Sequence, residues 1–344
     1  MHRLFLSFCM LVICRSAAAL PPDGMVYTLK SSVVKIRVIM PNGHAGVGSG
    51  VVVAKDQAVT NCHVVANAES INVLKFGESH PAFSIKADWQ HDLCIIGFDG
   101  TDTTVAQLGT SEDLQYEQPV FTISFPNNSP KPLTTYGLVK ALYPMDDSVI
   151  VRTTNDFRLG ASGGAMFSDD GKLVGIITLK SPGRNAFYYT LPIEWVQSLL
   201  SKPEQAIPAK GALPFWDAPE EKRPFFMRVI QPYQTEDWPA LKKVATAWML
   251  QEPQTIEALF YLGVAEFNLK ETKAAQSHFN QIYAQNKRHT NALLYLGLIA
   301  AEAGDKDEAM KTVSLLNKLD KDTASQLNNK LGIVDHPDCH TANC

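Results

Sequence analysis

From about residue 31 to residue 199 the apolar positions come in short runs separated by turn chemistry. β-Branched and aliphatic residues fill 33–40, and Pro41-Asn42-Gly43 ends that run. Residues 46–54 form a Gly-Val ribbon, followed by Lys55-Asp56-Gln57 as a hairpin turn. Further strands are expected at 70–74, 93–98, 119–124, 148–153, 173–179 and 187–190, with turns at 126–128 and 169–171. Many short strands at this spacing predict a sandwich or barrels. Residues 193–201 read as a short helix.

The pattern then changes. The stretch 202–234 holds Pro203, Pro208, Pro214, Pro219, Pro224 and Pro232, a density that forbids long helices and predicts a connector between domains. Its aromatics, Phe215, Trp216, Phe225 and Phe226, predict that it packs against something. From about residue 235 the periodicity is helical, and it repeats. Ala258-Leu259-Phe260-Tyr261-Leu262-Gly263 returns as Ala292-Leu293-Leu294-Tyr295-Leu296-Gly297, an offset of 34 residues, and Ala275 returns as Ala309 at the same offset. That period, with its Leu-Gly pair and later Ala, resembles the tetratricopeptide repeat. Leu259 and Leu293 stand where that pattern prefers Trp, and Lys287 and Lys321 stand near its usual Pro. Two repeats bury too little alone, so 235–252, with Trp238 and Trp248, is expected to supply a preceding helix. The plainer reading is an ordinary pair of helical hairpins.

Residues 1–19 read as a signal peptide. An apolar run at 4–14 follows His2 and Arg3, and Ala17-Ala18-Ala19 offers small residues for cleavage. Eleven apolar residues are too few to span a bilayer, which needs about 20. A short anchor and a lipoprotein processed at Cys14 are the competing readings; bulky Ile13 argues against the second. Removal of the segment takes Arg3 and Arg15 and moves the net charge from −4 to −6. No basic run is present, so nucleic acid is not an expected partner, and no membrane association is expected after cleavage. Four of the six cysteines remain: Cys62, Cys94, Cys339 and Cys344. An even set in an oxidising compartment points to disulfides.

Candidate chemistry is concentrated in three places. Gly46-Val47-Gly48-Ser49-Gly50 leads into 51–53, and Ala58-Val59-Thr60-Asn61-Cys62-His63-Val64-Val65 follows. His91-Asp92-Leu93-Cys94-Ile95-Ile96 comes next, and then Leu159-Gly160-Ala161-Ser162-Gly163-Gly164. The intervals are 29 residues from His63 to Asp92 and 70 from Asp92 to Ser162. In motif and order these segments resemble trypsin-like serine proteases of the high-temperature-requirement type. The resemblance covers about residues 31–201. Pro119 to Pro126, Thr135-Tyr136-Gly137-Leu138-Val139, Val174-Gly175-Ile176-Ile177 and Leu191-Pro192 extend it, with Ser124 in place of a usual Gly. It implies two six-stranded β-barrels with the site in the cleft between them. It also implies His63, Asp92 and Ser162 as a catalytic triad. Asp88 competes with Asp92 and reads as a turn residue.

The residue types suit that chemistry. A serine hydroxyl is a poor nucleophile at neutral pH and needs a base to take its proton. A histidine fills that role, and an aspartate orients the ring and stabilises the imidazolium. The N–H groups of Gly160 and Ser162 are expected to form the oxyanion hole, where one donor is worth about 3 kcal/mol. Asp156, Thr178, Leu179 and Tyr188 are the candidate substrate-binding residues. Asp156, with Arg158 as its competing partner, stands where an Asp would select Lys or Arg. Tyr188 stands at a pocket wall that is often Gly, and Thr178 and Leu179 would line the substrate strand. Ala161 replaces the Asp that binds a newly freed N-terminus in digestive proteases, so activation without N-terminal trimming is expected.

If His63 and Asp92 touch, Cys62 and Cys94 come from neighbouring segments, and a Cys62–Cys94 disulfide would brace them; two buried thiols are the alternative. His336, Cys339, His340 and Cys344 could be read as a metal site, but a terminal Cys339–Cys344 disulfide is the preferred reading, and no metal is expected. His44, His80 and His91 read as surface or loop histidines.

The expected chain is therefore multidomain, an all-β chymotrypsin-like double β-barrel followed by an all-α tetratricopeptide-like repeat domain. Its parts are a signal peptide (1–19), the protease domain (20–201), a Pro-rich connector (202–234), helical repeats (235–325) and a tail (326–344). The expected activity is cofactor-free hydrolysis of peptide bonds through an acyl-enzyme, on protein or peptide substrates. The repeats are expected to present a surface to substrates or a protein partner. Export to a bacterial periplasm is expected from the signal peptide and the pairing of domains, and secretion beyond the cell is equally permitted. An inactive scaffold acting through its repeats, and an esterase using the same triad, are the alternatives.

Overall fold

The computed structural model describes residues 21–100, 103–182, 186–253 and 255–332. A short helix, α1 (Asp23–Leu29), enters the first sheet. That sheet comprises β1 (Val33–Ile39), β2 (Ala45–Ala54), β3 (Gln57–Asn61), β4 (Ser70–Lys75), β5 (Glu78–Asp88) and β6 (Leu93–Phe98), with α2 (Cys62–Val65) after β3. β5 pairs with both β4 and β6, which closes the sheet into a barrel. The second barrel is closed by β7 (Pro119–Ser124), β8 (Leu133–Met145), β9 (Ser148–Thr153), β10 (Ala165–Ser168), β11 (Leu173–Lys180) and β12 (Tyr188–Pro192). Helix α3 (Ile193–Leu200) follows, as its expected start at 193 required.

The unbroken apolar run of β6 shows why alternation is absent there. Leu93 and Ile95 face one apolar cluster, which also holds Ile193, Val196 and Leu199 of α3. Cys94, Ile96 and Phe98 face the other, with Val34, Ile36, Val52 and Ala58. A strand buried on both faces reads as a continuous hydrophobic run. β5 and the full length of β8 were not among the expected strands. β5 begins with the polar Glu78, Ser79 and His80, and those residues are paired to β4 at its exposed end.

The proline-rich stretch is bound along the protein surface. Its β13 (Gln205–Ala206) pairs with Ile85 and Ser84 of β5. Its helices, α4 (Phe225–Arg228) and α5 (Ile230–Gln234), are short, as the prolines require. Beyond it lie α6 (Trp238–Gln251), α7 (Ile256–Asn268), α8 (Thr272–Gln285), α9 (Thr290–Glu302), α10 (Lys306–Leu319) and α11 (Lys321–Leu331). The final helix runs past the boundary expected at 325. Asp237, Asp305 and Asp320 cap α6, α10 and α11 by accepting from the N–H groups of Ala240, Glu308 and Thr323. The repeated glycine has its packing role: a Cβ on Gly263 would lie 2.9 Å from Phe279 of α8.

The repeats are fused to the second barrel by a shared core. One apolar cluster includes Phe121, Ile176 and Tyr189 of the barrel, Phe226 of the connector, and Trp248, Tyr261 and Phe279 of the repeats. The Phe226 ring lies 4.5 Å from that of Tyr143; burying such a side chain contributes roughly 1.5–3 kcal/mol. A polar tie crosses the same junction. Arg152 of β9 donates to the Tyr261 hydroxyl at 2.9 Å and lies 3.6 Å from the Glu257 carboxylate. Its guanidinium sits 4.7 Å from the centre of the Phe187 ring. Among the described residues no helix is long and apolar enough to cross a membrane. The expected signal peptide, and Cys339, Cys344, His336 and His340, lie outside the described residues.

Candidate active site

Strand register brings the first two candidate residues together. β3 and β6 are antiparallel with Asn61 opposite Leu93. The residue following one therefore meets the residue preceding the other, and Cys62 N–H donates to the Asp92 carbonyl at 3.1 Å. His63 is then one step into α2, and Asp92 closes the turn before β6. Asp92 has φ +58°, a left-handed conformation uncommon for a residue with a side chain and characteristic of constrained sites. Its carboxylate is only 1% exposed, against 34% for the His63 side chain. Asp92 Oδ1 accepts from the His63 backbone N–H at 2.8 Å, and Oδ2 lies 2.6 Å from His63 Nδ1. With its proton on Nδ1, the imidazole leaves Nε2 as a base.

The Cys62–Cys94 disulfide spans these segments with Cα atoms 4.9 Å apart, within the range that a bridge requires. Asp88, expected in a turn, is instead the last residue of β5, paired with Leu93. Its carboxylate accepts from His91 N–H at 3.2 Å and lies 2.8 Å from His91 Nδ1. His91 also approaches Asp146 at 2.9 Å and stacks on Trp195 with centroids 3.9 Å apart. It is thus a half-buried histidine in the turn before β6, within the surface or loop reading, that bridges Asp88, Asp146 and Trp195 of α3. Burial works against its charge, but the hydrogen bonds and charges of Asp88 and Asp146 prevail and raise its pKa above the usual 6.5.

Ser162 sits in a turn before β10, between Gly160 at φ +89° and Gly163 at φ +84°. Both glycines hold backbone that a side chain would strain. The turn is tied to the first barrel by a residue whose role the sequence did not reveal. Ser49 N–H donates to the Ser162 carbonyl at 2.8 Å. Ser49 Oγ donates to the Gly160 carbonyl and accepts from Phe125 N–H, both at 2.8 Å. The Leu159 carbonyl accepts from Asn127 N–H at 2.6 Å. In a trans peptide the carbonyl and the following N–H point oppositely, so this bond turns the Gly160 N–H away from Asn127. Among the described residues neither Gly160 N–H nor Ser162 N–H donates to a protein acceptor. No hydrogen bond joins Ser162 Oγ to His63 among the described residues. The close approach is through Gly48, where a Cβ would lie 2.5 Å from Val64 and 3.3 Å from the Ser162 carbonyl.

The candidate substrate residues divide. Thr178 is committed internally: its hydroxyl accepts from Asn61 Nδ2 at 2.8 Å and donates to the Ile176 carbonyl at 3.1 Å. Asn61 Nδ2 also donates to the Asp92 carbonyl at 3.0 Å. Leu179 lines a cleft of about 220 Å³ between the end of β11 and the connector. Tyr188 Oη donates to Asp156 Oδ1 at 2.9 Å, so Asp156 is bonded to Tyr188 and, among the described residues, not paired with Arg158. Burial, reinforced by the Asp156 carboxylate, pushes the Tyr188 phenol up to about 12.

Residues 48–176, which contain His63, Asp92 and Ser162, match the model of the trypsin-like peptidase domain. Residues 257–287 and 291–323 match that of the tetratricopeptide repeat. The chain joins a trypsin-like peptidase domain to tetratricopeptide repeats. Its peptidase domain is similar to a probable periplasmic serine endoprotease DegP-like of Halomonas elongata, 32% identical over 171 residues, covering 45% of this chain and 36% of that protein. It is similar also to the serine protease HTRA1B of Danio rerio, 31% identical over 166 residues, covering 45% of this chain and 34% of that one. The chain thus spans about a third of the length of the curated relatives it matches. Among solved structures, the HtrA-type protease AlgW with tripeptide aligns with a TM-score of 0.46 at 24% identity, covering 52% of this chain and 62% of that one. The active form of the Rv3671c protease from M. tuberculosis aligns at 0.48 and 19%, covering 61% and 97%.

Proposed function

We propose that the chain is a serine endopeptidase in which His63, Asp92 and Ser162 act on protein or peptide substrates through an acyl-enzyme. The observation that carries this reading is the 2.6 Å contact of His63 Nδ1 with Asp92 Oδ2, which leaves Nε2 as the base. Ser162 Oγ attacks the scissile carbonyl carbon as Nε2 takes its proton, and Asp92 stabilises the imidazolium. The oxyanion receives the N–H groups of Gly160 and Ser162. The amine leaves with the proton from His63, and water then cleaves the ester by the same base. No cofactor enters these steps.

Ala161 offers no carboxylate to a freed N-terminus, and the turn is braced by Ser49 and Asn127 instead. Activity is therefore assigned to the chain without a cut near residue 31. The bond from Tyr188 engages the Asp156 carboxylate that would otherwise select Lys or Arg, which supports small or medium apolar side chains. The disulfide and the periplasmic naming of the Halomonas elongata relative support export. The repeats, docked on the second barrel, would present a surface for substrates or a partner protein.

Incubation of an unfolded protein substrate with wild type, Ser162→Ala and His63→Ala tests the reading. Cleavage by wild type and loss of more than about a thousandfold in each variant is expected. Equal cleavage by all three would end the reading. No cleavage by wild type would favour the scaffold reading. Ester turnover without peptide turnover would favour the esterase.

A further inference from the structure

The buried carboxylate of Asp92 has a third partner, and it comes from neither barrel. Trp216, in the proline-rich connector, donates Nε1–H to Asp92 Oδ2 at 3.1 Å. The same ring meets the His63 imidazole edge-on, with centroids 5.5 Å apart at 90°. On its other side it lines the cleft of about 220 Å³ with Leu179, Lys180 and Ser181 of the peptidase domain and Met227 of the connector. Thr178 of β11, which accepts from Asn61, donates to the Ile176 carbonyl and so does not serve the carboxylate.

The connector is fixed on both sides of Trp216. Upstream, β13 pairs with β5, and Ile207 and Ala209 pack on the first-barrel core. Gly211 lies flat on Trp89, where a Cβ would come within 1.9 Å of the indole. Phe215 N–H donates to the Gln90 carbonyl at 3.0 Å, two residues before Asp92. Downstream, Phe226, Val229 and Ile230 enter the core shared by the second barrel and the repeats.

We propose that Trp216 is a positioning residue for the triad, so that the connector leading to the repeats completes the active site and walls its cleft. This rests on the reading of His63, Asp92 and Ser162 as catalytic. The indole N–H fixes the rotation of the carboxylate that orients His63, and the ring limits the tilt of the imidazole. A carboxylate with one donor fewer has more freedom, and the barrier is sensitive to small misplacements of a base.

The test compares wild type, Trp216→Phe and Trp216→Ala on one peptide substrate. Trp216→Phe keeps a ring and loses the donor; kcat is expected to fall roughly tenfold with KM unchanged. Trp216→Ala also removes the cleft wall, so KM should rise as well. The low-field proton resonance of His63 Nδ1–H should shift or broaden in both. Gly211→Val, which lifts the connector off Trp89 without touching the triad, should reproduce the fall in kcat and supplies the test if a Trp216 variant does not fold. An active wild type, with kcat and the low-field resonance of a folded Trp216→Phe unchanged, overturns this inference alone. A wild type without turnover overturns the triad reading and this inference with it.

Discussion

Ser49 and Gly160 come from different barrels and are joined by a hydrogen bond of 2.8 Å from the buried Ser49 hydroxyl to the Gly160 carbonyl. The bond holds the peptide that precedes Ala161 and Ser162. Ser49→Ala removes that bond and the acceptor for Phe125 N–H. The turn from Gly160 to Ser162 would then lose this anchor, and the Ser162 N–H its fixed direction, while the Leu159–Asn127 bond still holds the Gly160 N–H. A fall in kcat of roughly ten- to a hundredfold is expected, since a misdirected oxyanion donor costs at most what its removal costs. Steady-state kinetics beside thermal unfolding check this; an unchanged kcat would detach Ser49 from the site.

The Cys62–Cys94 disulfide closes a separation of 32 residues in sequence and has one end adjacent to His63. Loop entropy assigns it about 3–4 kcal/mol of stability. Cys62→Ala/Cys94→Ala should unfold at lower denaturant by that amount and lose activity before global unfolding. Chemical denaturation with and without reductant measures it, and reductant should change wild type only.

Arg152 is 7% exposed, and Glu257 across the junction is 4% exposed. Arg152→Ala would leave a buried carboxylate without its cation and strip the Tyr261 hydroxyl of its donor. A loss of about 3–5 kcal/mol is expected from removing one partner of a buried pair. Arg152→Met, which fills the space but keeps no charge, should share most of that loss, whereas Arg152→Met/Glu257→Leu should recover much of it. Equilibrium unfolding of the variants gives the comparison.

The raised pKa of His91 sets a pH dependence of stability. The folded protein holds a proton there that the unfolded chain releases. The stabilisation is fully present below the ordinary histidine value of 6.5 and is lost as pH rises through the higher folded value. Asp88, Asp146 and, through Asp88, Lys202 are the charged groups around it, with Trp195 stacked on the ring. The melting temperature should therefore fall as pH rises above the ordinary histidine value of 6.5, and His91→Gln should flatten that slope. An equal slope in both proteins would remove His91 as its source.

The two-barrel fold and the repeats were legible because their signals are local. The Gly-Ser-Gly ribbon, Thr-Asn-Cys-His and Gly-Ala-Ser-Gly-Gly are each runs of a few consecutive residues, and the 34-residue offset lies within one stretch. What stayed hidden depends on partners distant in sequence. Trp216 meets Asp92 across 124 residues, and Ser49 meets Gly160 across 111. The aromatics of the connector did announce that it packs, but not on what. Arg152 lay without a role in the strand expected at 148–153, since nothing near it in sequence shows that Tyr261, 109 residues on, bonds to it. His91 read as a surface or loop histidine, and it does lie in a turn, but its partners Asp146 of the β8–β9 turn and Trp195 of α3 are too distant in sequence to be read from it.

Intact-mass and peptide mapping after treatment with a fluorophosphonate is the most direct measurement of the central claim. The account predicts one adduct per chain, located on Ser162, absent in Ser162→Ala and strongly slowed in His63→Ala. A wild-type protein that remains unmodified, or one modified at another residue, would contradict it.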